Sequence, residues 1–476
     1  RRRAREAREA RRRVVTGAAA KEGRGFGAPP IDGLGLGDVV LLACASERWG
    51  GLVALELQEA WRAAGRDPAE LLQVAQGVFS TKCRDDEAII AEDDAGDEHE
   101  ASGDGRDDAG PVHCRSTPGF AAARLAHLAG VRRWLQLLTP AQPSAAALVA
   151  EAGAAGLAFP GGFSLETEAP CPARPESLAP YTQTSAFLPA ALARAISGPL
   201  VSEFATPDQA AGTCTVGGAS SSRGAGCSAR LVILETVAPT RFLLAKEVAV
   251  KGRGAFAPTT FCSRWRGRSF PDYSAALEPL AALALVSLGI RAREAVLGPG
   301  ARPLAAILDP CCGTGTVAAA ASYCRGVAGH FVFAGDISDT MARRTAANLE
   351  YIAPGGVALR DPGACSGHQG LEACHAEVRC WDATRPWPLP SGFDGAGSAG
   401  LLVASNFPWG GKLAGQESAA FGVLRCMAET WPLATLCFIG PLAVCEECVS
   451  LGLLRVVYQA PAGNKGCAVV VACAGG

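Results

Sequence analysis

Four apolar runs in the second half of the chain end in side chains that can hold a polar ligand. "LAAILDP" closes on Asp309, "HFVFAGDIS" on Asp336, "EVRCWDAT" on Asp382 and "GLLVASNFPWGG" on Asn406-Phe407-Pro408-Trp409. Between the first two lies "CCGTG", residues 311–315, a cluster of small residues opening a helix-like stretch. Gly313 and Gly315 let the backbone approach a ligand closely and take up φ > 0, and Cys312 and Thr314 are too small to obstruct it. A lone Gly-x-Gly turn is weak evidence. Asp336 follows it by about 20 residues, the spacing at which a carboxylate accepts the two hydroxyls of a ribose. Asp382, at a third tip, is placed to accept from an adenine amino group.

Any one of these acids could simply cap the next helix, but three in register make that reading weak. The Gly-x-x-x-x-Gly-Lys-Ser/Thr phosphate cradle is absent, and an acid at the first tip would repel a pyrophosphate. The ligand expected is therefore adenosine with a cationic or zwitterionic tail, a description that S-adenosylmethionine fits. Asn-x-Pro-aromatic at the fourth tip suits a planar amino group. The Asn carbonyl and a backbone carbonyl accept its two N–H groups while the aromatic stacks on the ring. Such acceptors favour the form whose nitrogen lone pair faces an incoming methyl group.

The elements that must position these tips form a regular series. Strand candidates at 304–309, 331–336, 377–382, 400–405 and 435–440 alternate with helical stretches, as in a doubly wound, mostly parallel sheet. "LLRVVYQAPAGNKGCAVVVACA" adds two strands around a turn, a terminal antiparallel hairpin. That outline is the α/β class I methyltransferase fold, expected over 257–476.

The 476 residues, 49% hydrophobic and 19% charged, suffice for two or three packed domains, and no run approaches the length of a membrane span. A net charge of -2 excludes a surface that grips nucleic acid throughout and leaves only local patches. Nineteen scattered cysteines, many in apolar runs, read as small hydrophobes in a reducing compartment. The one Cys-x-x-Cys, Cys445 and Cys448, and the group Cys374, His375 and Cys380 lack a second pair at finger spacing, so no metal is expected.

Residues 1–36 read as a basic tail, partly helical at most, because the first thirteen hold eight Arg; the interspersed Glu and lack of Ser weigh against a targeting peptide. Residues 37–82 open an α+β region, beginning with a strand and a helix in "DVVLLACASERWGGLVALELQEAWRAAG". Residues 83–111 form an acidic, disordered insertion, with twelve acids over 84–108. Residues 112–256 continue the α+β region through "FSLETE", "LPAALARAISG", "ARLVILETVA" and "RFLLAKEVAV", interrupted by a Gly/Ser loop at 217–228. "FCSRWRGRSF", 261–270, reads equally well as a solvated linker or as a grip on phosphates by Arg264, Arg266 and Arg268.

"LDPCCGTGT", "AGDIS" followed by "MARRTAANL", "CWDAT" and "SNFPWGG", in that order, resemble the THUMP-associated RNA methylases that form N2-methylguanosine in tRNA. The resemblance extends to "YSAALEPLAALALVSLGI" as the helix before the first strand. More faintly, it makes 112–256 a THUMP-like RNA-binding region of the branch acting on guanosine ten. It implies Asp309, Cys312, Gly313, Gly315, Asp336, Ile337 and Asp382 around S-adenosylmethionine. Asn406, Pro408 and Trp409 would be catalytic and Phe407 would contact substrate, with Arg264, Arg266 and Arg268 added as substrate contacts on the reading of the basic patch alone. That branch reads Asp-Pro-Pro-Tyr where this chain reads Asn-Phe-Pro-Trp, which keeps the amine-holding chemistry and leaves the nucleotide open. The partner implied is RNA, tRNA first, with a small activating subunit as a further candidate and no membrane; the location is intracellular, the cytoplasm first. Alternatives are another planar amine (DNA adenine N6, rRNA guanine N2, protein glutamine N5) or a non-catalytic RNA-binding subunit.

Overall fold

The computed structural model describes residues 34, 39–43, 49–64, 67–68, 71–75, 78–81, 128, 131–159, 163–168, 188–198, 229–237, 240–247, 258–270, 276–298, 301–328, 330–354, 356–360, 375–387, 395–407, 416–462 and 466–475. The basic tail apart from Leu34, the acidic insertion, the Gly/Ser loop, Cys374, Pro408 and Trp409 lie outside the described residues.

The N-terminal strands β1 (Val39–Ala43), β2 (Leu71–Ala75), β3 (Val78–Thr81), β4 (Val131–Leu137), β5 (Phe163–Glu168), β6 (Ala229–Val237) and β7 (Thr240–Glu247) share one sheet, ordered β2-β3-β1-β4-β7-β6-β5. Segments on either side of the acidic insertion therefore build a single layer. Helix α1 (Gly50–Ala63) connects β1 to β2, and β3 sits between those strands, antiparallel to both. With β4 on the other side of β1, this is the split β-α-β order of a ferredoxin-like sheet. Helices α2 (Ala145–Ala154) and α3 (Leu188–Ala195) cover the β5–β6–β7 end, burying Leu148 and Leu192 against Phe163, Leu231, Ile233 and Leu244.

Helix α4 (Pro258–Arg266) follows. Phe261 and Trp265, one turn apart, are buried in the core that continues through Trp134 of β4 into the C-terminal domain. The segment is thus a wedge between the sheets and not a solvated linker, and Trp265 is withdrawn from any role in stacking on substrate. Arg264 and Arg266 remain exposed on its outer side.

Helix α5 (Pro279–Leu297) starts with Pro at the first turn, where a missing N–H costs nothing, and ends at Gly298 with φ 88. Residues 281–289 are buried without interruption. This all-round burial arises because α1 packs on one side of α5 while sheet strands and helix α6 (Thr316–Ala328) pack on the others. The longest apolar stretch of the chain is therefore a core helix, and no described helix is long and apolar enough to cross a membrane.

The second sheet contains β8 (Ala306–Asp309), β9 (Phe331–Asp336), β10 (Val357–Arg360), β11 (Ala376–Cys380), β12 (Leu401–Asn406), β13 (Thr435–Pro441), β14 (Leu454–Pro461) and β15 (Cys467–Ala474). Their order is β10-β11-β9-β8-β12-β13-β15-β14, and β15 alone runs against the common direction, so that its pairings with both β13 and β14 are antiparallel. Helices α7 (Asp339–Ile352), α8 (Gln416–Thr430) and α9 (Leu442–Ser450) complete the two outer layers. This is the class I methyltransferase arrangement, including the terminal hairpin. The short edge strand β10 was not anticipated: four residues bearing an exposed Leu359 carry too little pattern to distinguish them from a loop.

The two sheets share one interface. Tyr458 on β14 donates its hydroxyl to Glu59 Oε1 at 2.8 Å, Arg62 bonds the same oxygen at 2.5 Å, and the Arg62 guanidinium lies 5.1 Å over the Tyr458 ring. Glu59 is 4% exposed, so its partners must supply the hydrogen bonds that water would have made.

Candidate active site

The strand order reverses at β8 and β12, so the crevice beyond their carboxyl ends is where a ligand is expected. Asp309 closes β8 and Asn406 closes β12. Asp309 is 1% exposed and accepts from the Ser405 hydroxyl at 2.7 Å and more weakly from the Cys311 amide at 3.4 Å. Burial pushes its carboxyl up to about 7, and Asp336 adds like-charge repulsion, against hydrogen bonds from Ser405 and from the Cys311 and Ala318 amides that favour the anion.

The loop after β8 is held by its backbone. Gly313 adopts φ 55 and Gly315 φ 91, both in the left-handed region. A Cβ at Gly313 would meet no atom within 4 Å, whereas one at Gly315 would lie 2.9 Å from Thr345 Cγ2. Gly315 is thus glycine for close packing as well as conformation, whereas space at Gly313 is open. Asp336 receives the Gly313 amide at 3.0 Å on one oxygen and the Ser338 amide at 2.9 Å on the other, locking the first loop to the second strand tip. Burial raises its carboxyl above the ordinary range against those bonds.

Ile337, the next residue, is 75% exposed. Single exposed hydrophobes are ordinary; this one directly follows Asp336, and its carbonyl accepts from the Cys380 thiol at the end of β11. Asp382 lies past the end of β11. Its Oδ1 accepts both the Thr384 hydroxyl, at 2.7 Å, and the Thr384 amide, at 3.0 Å, bonds that hold its carboxyl below the usual range. It therefore caps its own turn, with Arg385 3.7 Å from Oδ2.

Three side chains depart from expectation. Cys312 is buried, with Sγ 3.4 Å from Thr345 Oγ1, and only its backbone belongs to the loop surface. Phe407 is 1% exposed with its ring 4.9 Å from that of Phe438, so it is a core residue and the expected substrate contact is corrected. Its amide donates to Ile439, carrying the β12–β13 ladder one residue beyond Asn406. Asn406 itself is half-buried at the tip. Arg268 is drawn back over Trp265, its guanidinium 4.5 Å from the ring, which removes it from the solvated grip expected with Arg264 and Arg266.

Three residues that sequence reasoning missed support the loop. Ser405 fixes Asp309. Thr345 donates to the Gly313 carbonyl at 2.8 Å. Asn348, fully buried, donates to the Thr314 carbonyl at 2.9 Å. The available signal was a pair of small polar residues three apart on the otherwise apolar buried face of α7. Among the described residues no group of three His, Cys, Asp or Glu could hold a metal, and Cys445 and Cys448 are buried in the core.

The residues present fit an adenosine-bearing cation. Asp309 is buried and Asp336 half-buried at neighbouring strand ends, a side chain at Gly313 would meet no atom within 4 Å, and Ile337 is exposed beside Asp336.

No protein-family model matches the chain, and no curated protein matches it. Among solved structures, TrmN from Thermus thermophilus is similar at 13% identity and TM-score 0.44, over 92% of this chain and 99% of that one. A protein described as a "predicted N6-adenine-specific DNA methylase" from Listeria monocytogenes is similar at 14% identity and TM-score 0.41, over 91% and 95%.

Proposed function

We propose that the chain transfers a methyl group from S-adenosylmethionine to the exocyclic N2 amine of a guanosine in RNA, tRNA first. The observation that supports this reading is the placement of Asp309, Asp336 and Asp382 at successive strand ends, with Asn406 across the switch point from Asp309. S-adenosylmethionine would supply an electrophilic methyl group on a positively charged sulfur. Asp309 balances that charge from a water-poor position, Asp336 holds the ribose hydroxyls, Ile337 packs on the adenine, and Asp382 accepts from its amino group.

The Asn406 carbonyl accepts an N–H of the target amine, turning the nitrogen lone pair out of conjugation and toward the crevice. Pro408 and Trp409 are assigned to the backbone carbonyl and the stacking surface of the same motif. A base reaching this crevice must leave its helical stack, so a loop or junction is the expected target. The test is Asn406→Ala. It should lower kcat by about 10²–10³, as loss of one preorganised polar contact to the reacting group does, while the Kd for S-adenosylmethionine stays unchanged. Full turnover in that variant would defeat the assignment.

A further inference from the structure

The segment after α4 runs along one face of α7. Arg344, Asn348 and Tyr351, spaced i, i+4 and i+7, make that face. The Tyr351 hydroxyl lies against the backbone of Gly267, and the Arg344 guanidinium lies 5.7 Å over the Phe270 ring. Between them, Asn348 pairs with Phe270 much as a neighbouring strand would, accepting from its amide at 2.9 Å and donating to its carbonyl at 3.2 Å. The same amide nitrogen reaches the Thr314 carbonyl in the loop beside Gly313 and Gly315.

The outcome is a ridge with two exposed aromatic rings, Phe270 at 37% and Tyr351 at 48%. Arg344 lies on it, with Arg264 and Arg266 exposed at the end of α4 that leads into it. Asp339, which pairs with Arg343 at 2.8 Å, and Glu350 are the acids of α7 near this surface. We propose that this ridge binds a single-stranded RNA segment, with bases stacking on Phe270 and Tyr351 and phosphates meeting Arg344, Arg264 and Arg266. Rings interleaved with guanidinium groups are the usual platform for unpaired strands, because each base offers a face and each link a charge. Asn348 is its positioning residue: it joins the ridge to the loop assigned to the cofactor, fixing the span from the held strand to the reacting base. The inference rests on the function proposed above and goes beyond it in naming the strand's path.

The test measures the affinity of the full chain for a single-stranded RNA oligonucleotide and for its duplex, at several salt concentrations, with S-adenosylmethionine binding measured in parallel. Phe270→Ala keeps the backbone that Asn348 holds and should weaken single-strand binding roughly five- to a hundredfold. Arg344→Ala should reduce the slope of log K against log salt by about 0.7, one phosphate contact on a single strand. Cofactor affinity should be unchanged in both. Single-strand affinity and salt slope equal to wild type in both variants would overturn the ridge, as would tighter binding of duplex than of single strand. If the wild type bound neither RNA nor cofactor, the function proposed above would fall first, an outcome distinct from losing the ridge alone.

Discussion

Ile337→Ala separates the site from the fold. The side chain is 75% exposed, so its truncation should change folding stability by no more than about 0.5 kcal/mol. If adenine covers it, the truncation removes three carbons from a contact worth about 0.8 kcal/mol per fully buried group. A base covers a side chain from one side only. Half of the full value, about 1.2 kcal/mol, corresponds to a Kd raised about eightfold. Isothermal titration with S-adenosylmethionine, beside a thermal melt of the free protein, reads both quantities. A Kd within twofold of wild type would place the adenine elsewhere, and a melting temperature several degrees lower would mean that the side chain serves the fold.

Gly315→Ala should destabilise by about 1–3 kcal/mol, since a side chain at φ 91 is strained and would press on Thr345. Gly313→Ala, at φ 55 and facing open space, should cost about 1 kcal/mol in melting and show its larger effect on cofactor affinity; equal melting losses would contradict this contrast. Because burial raises Asp309 to about 7, the fold carries its neutral form at no penalty: stability is fully present below the ordinary carboxylate range and is lost as pH rises through 7. Binding of a cationic cofactor runs the opposite way, strengthening from pH 6 to pH 8. Ser405→Ala removes a bond that favours the anion and should move that binding transition to higher pH, while a pH-independent Kd would exclude Asp309 from contact with the charge. Tyr458→Phe leaves buried Glu59 with one bond fewer and should cost about 1–3 kcal/mol in denaturant unfolding; no change would mean that Arg62 alone satisfies it.

The C-terminal sheet was legible because β8, β9, β12 and β13 are apolar runs, three of them ending in an acid or amide, and parallel strands buried on both faces look like that. Asp309, Gly313, Gly315 and Asp336 could be placed from spacing alone. Phe407 could not: Asn-Phe-Pro-Trp does not say which of its rings faces the core, and packing against Phe438 decides it. The support from Ser405, Thr345 and Asn348 was hidden for a related reason, since a buried hydroxyl or amide reveals its partner only when distant strands are assembled. Helix α4 shows the same limit. Its arginines suggested a polar linker, while Phe261 and Trp265 at helical spacing bury it between the sheets. The N-terminal sheet was readable only in pieces because 83–111 separates strands that pair.

The most direct measurement incubates the protein with isotopically labelled S-adenosylmethionine and separate pools of tRNA, rRNA and DNA, followed by nucleoside mass spectrometry. The account predicts labelled N2-methylguanosine in RNA, tRNA foremost, formed about 10²–10³ times more slowly by Asn406→Ala. Label appearing as methyladenine in DNA, or in no nucleoside while the cofactor is bound, would contradict it.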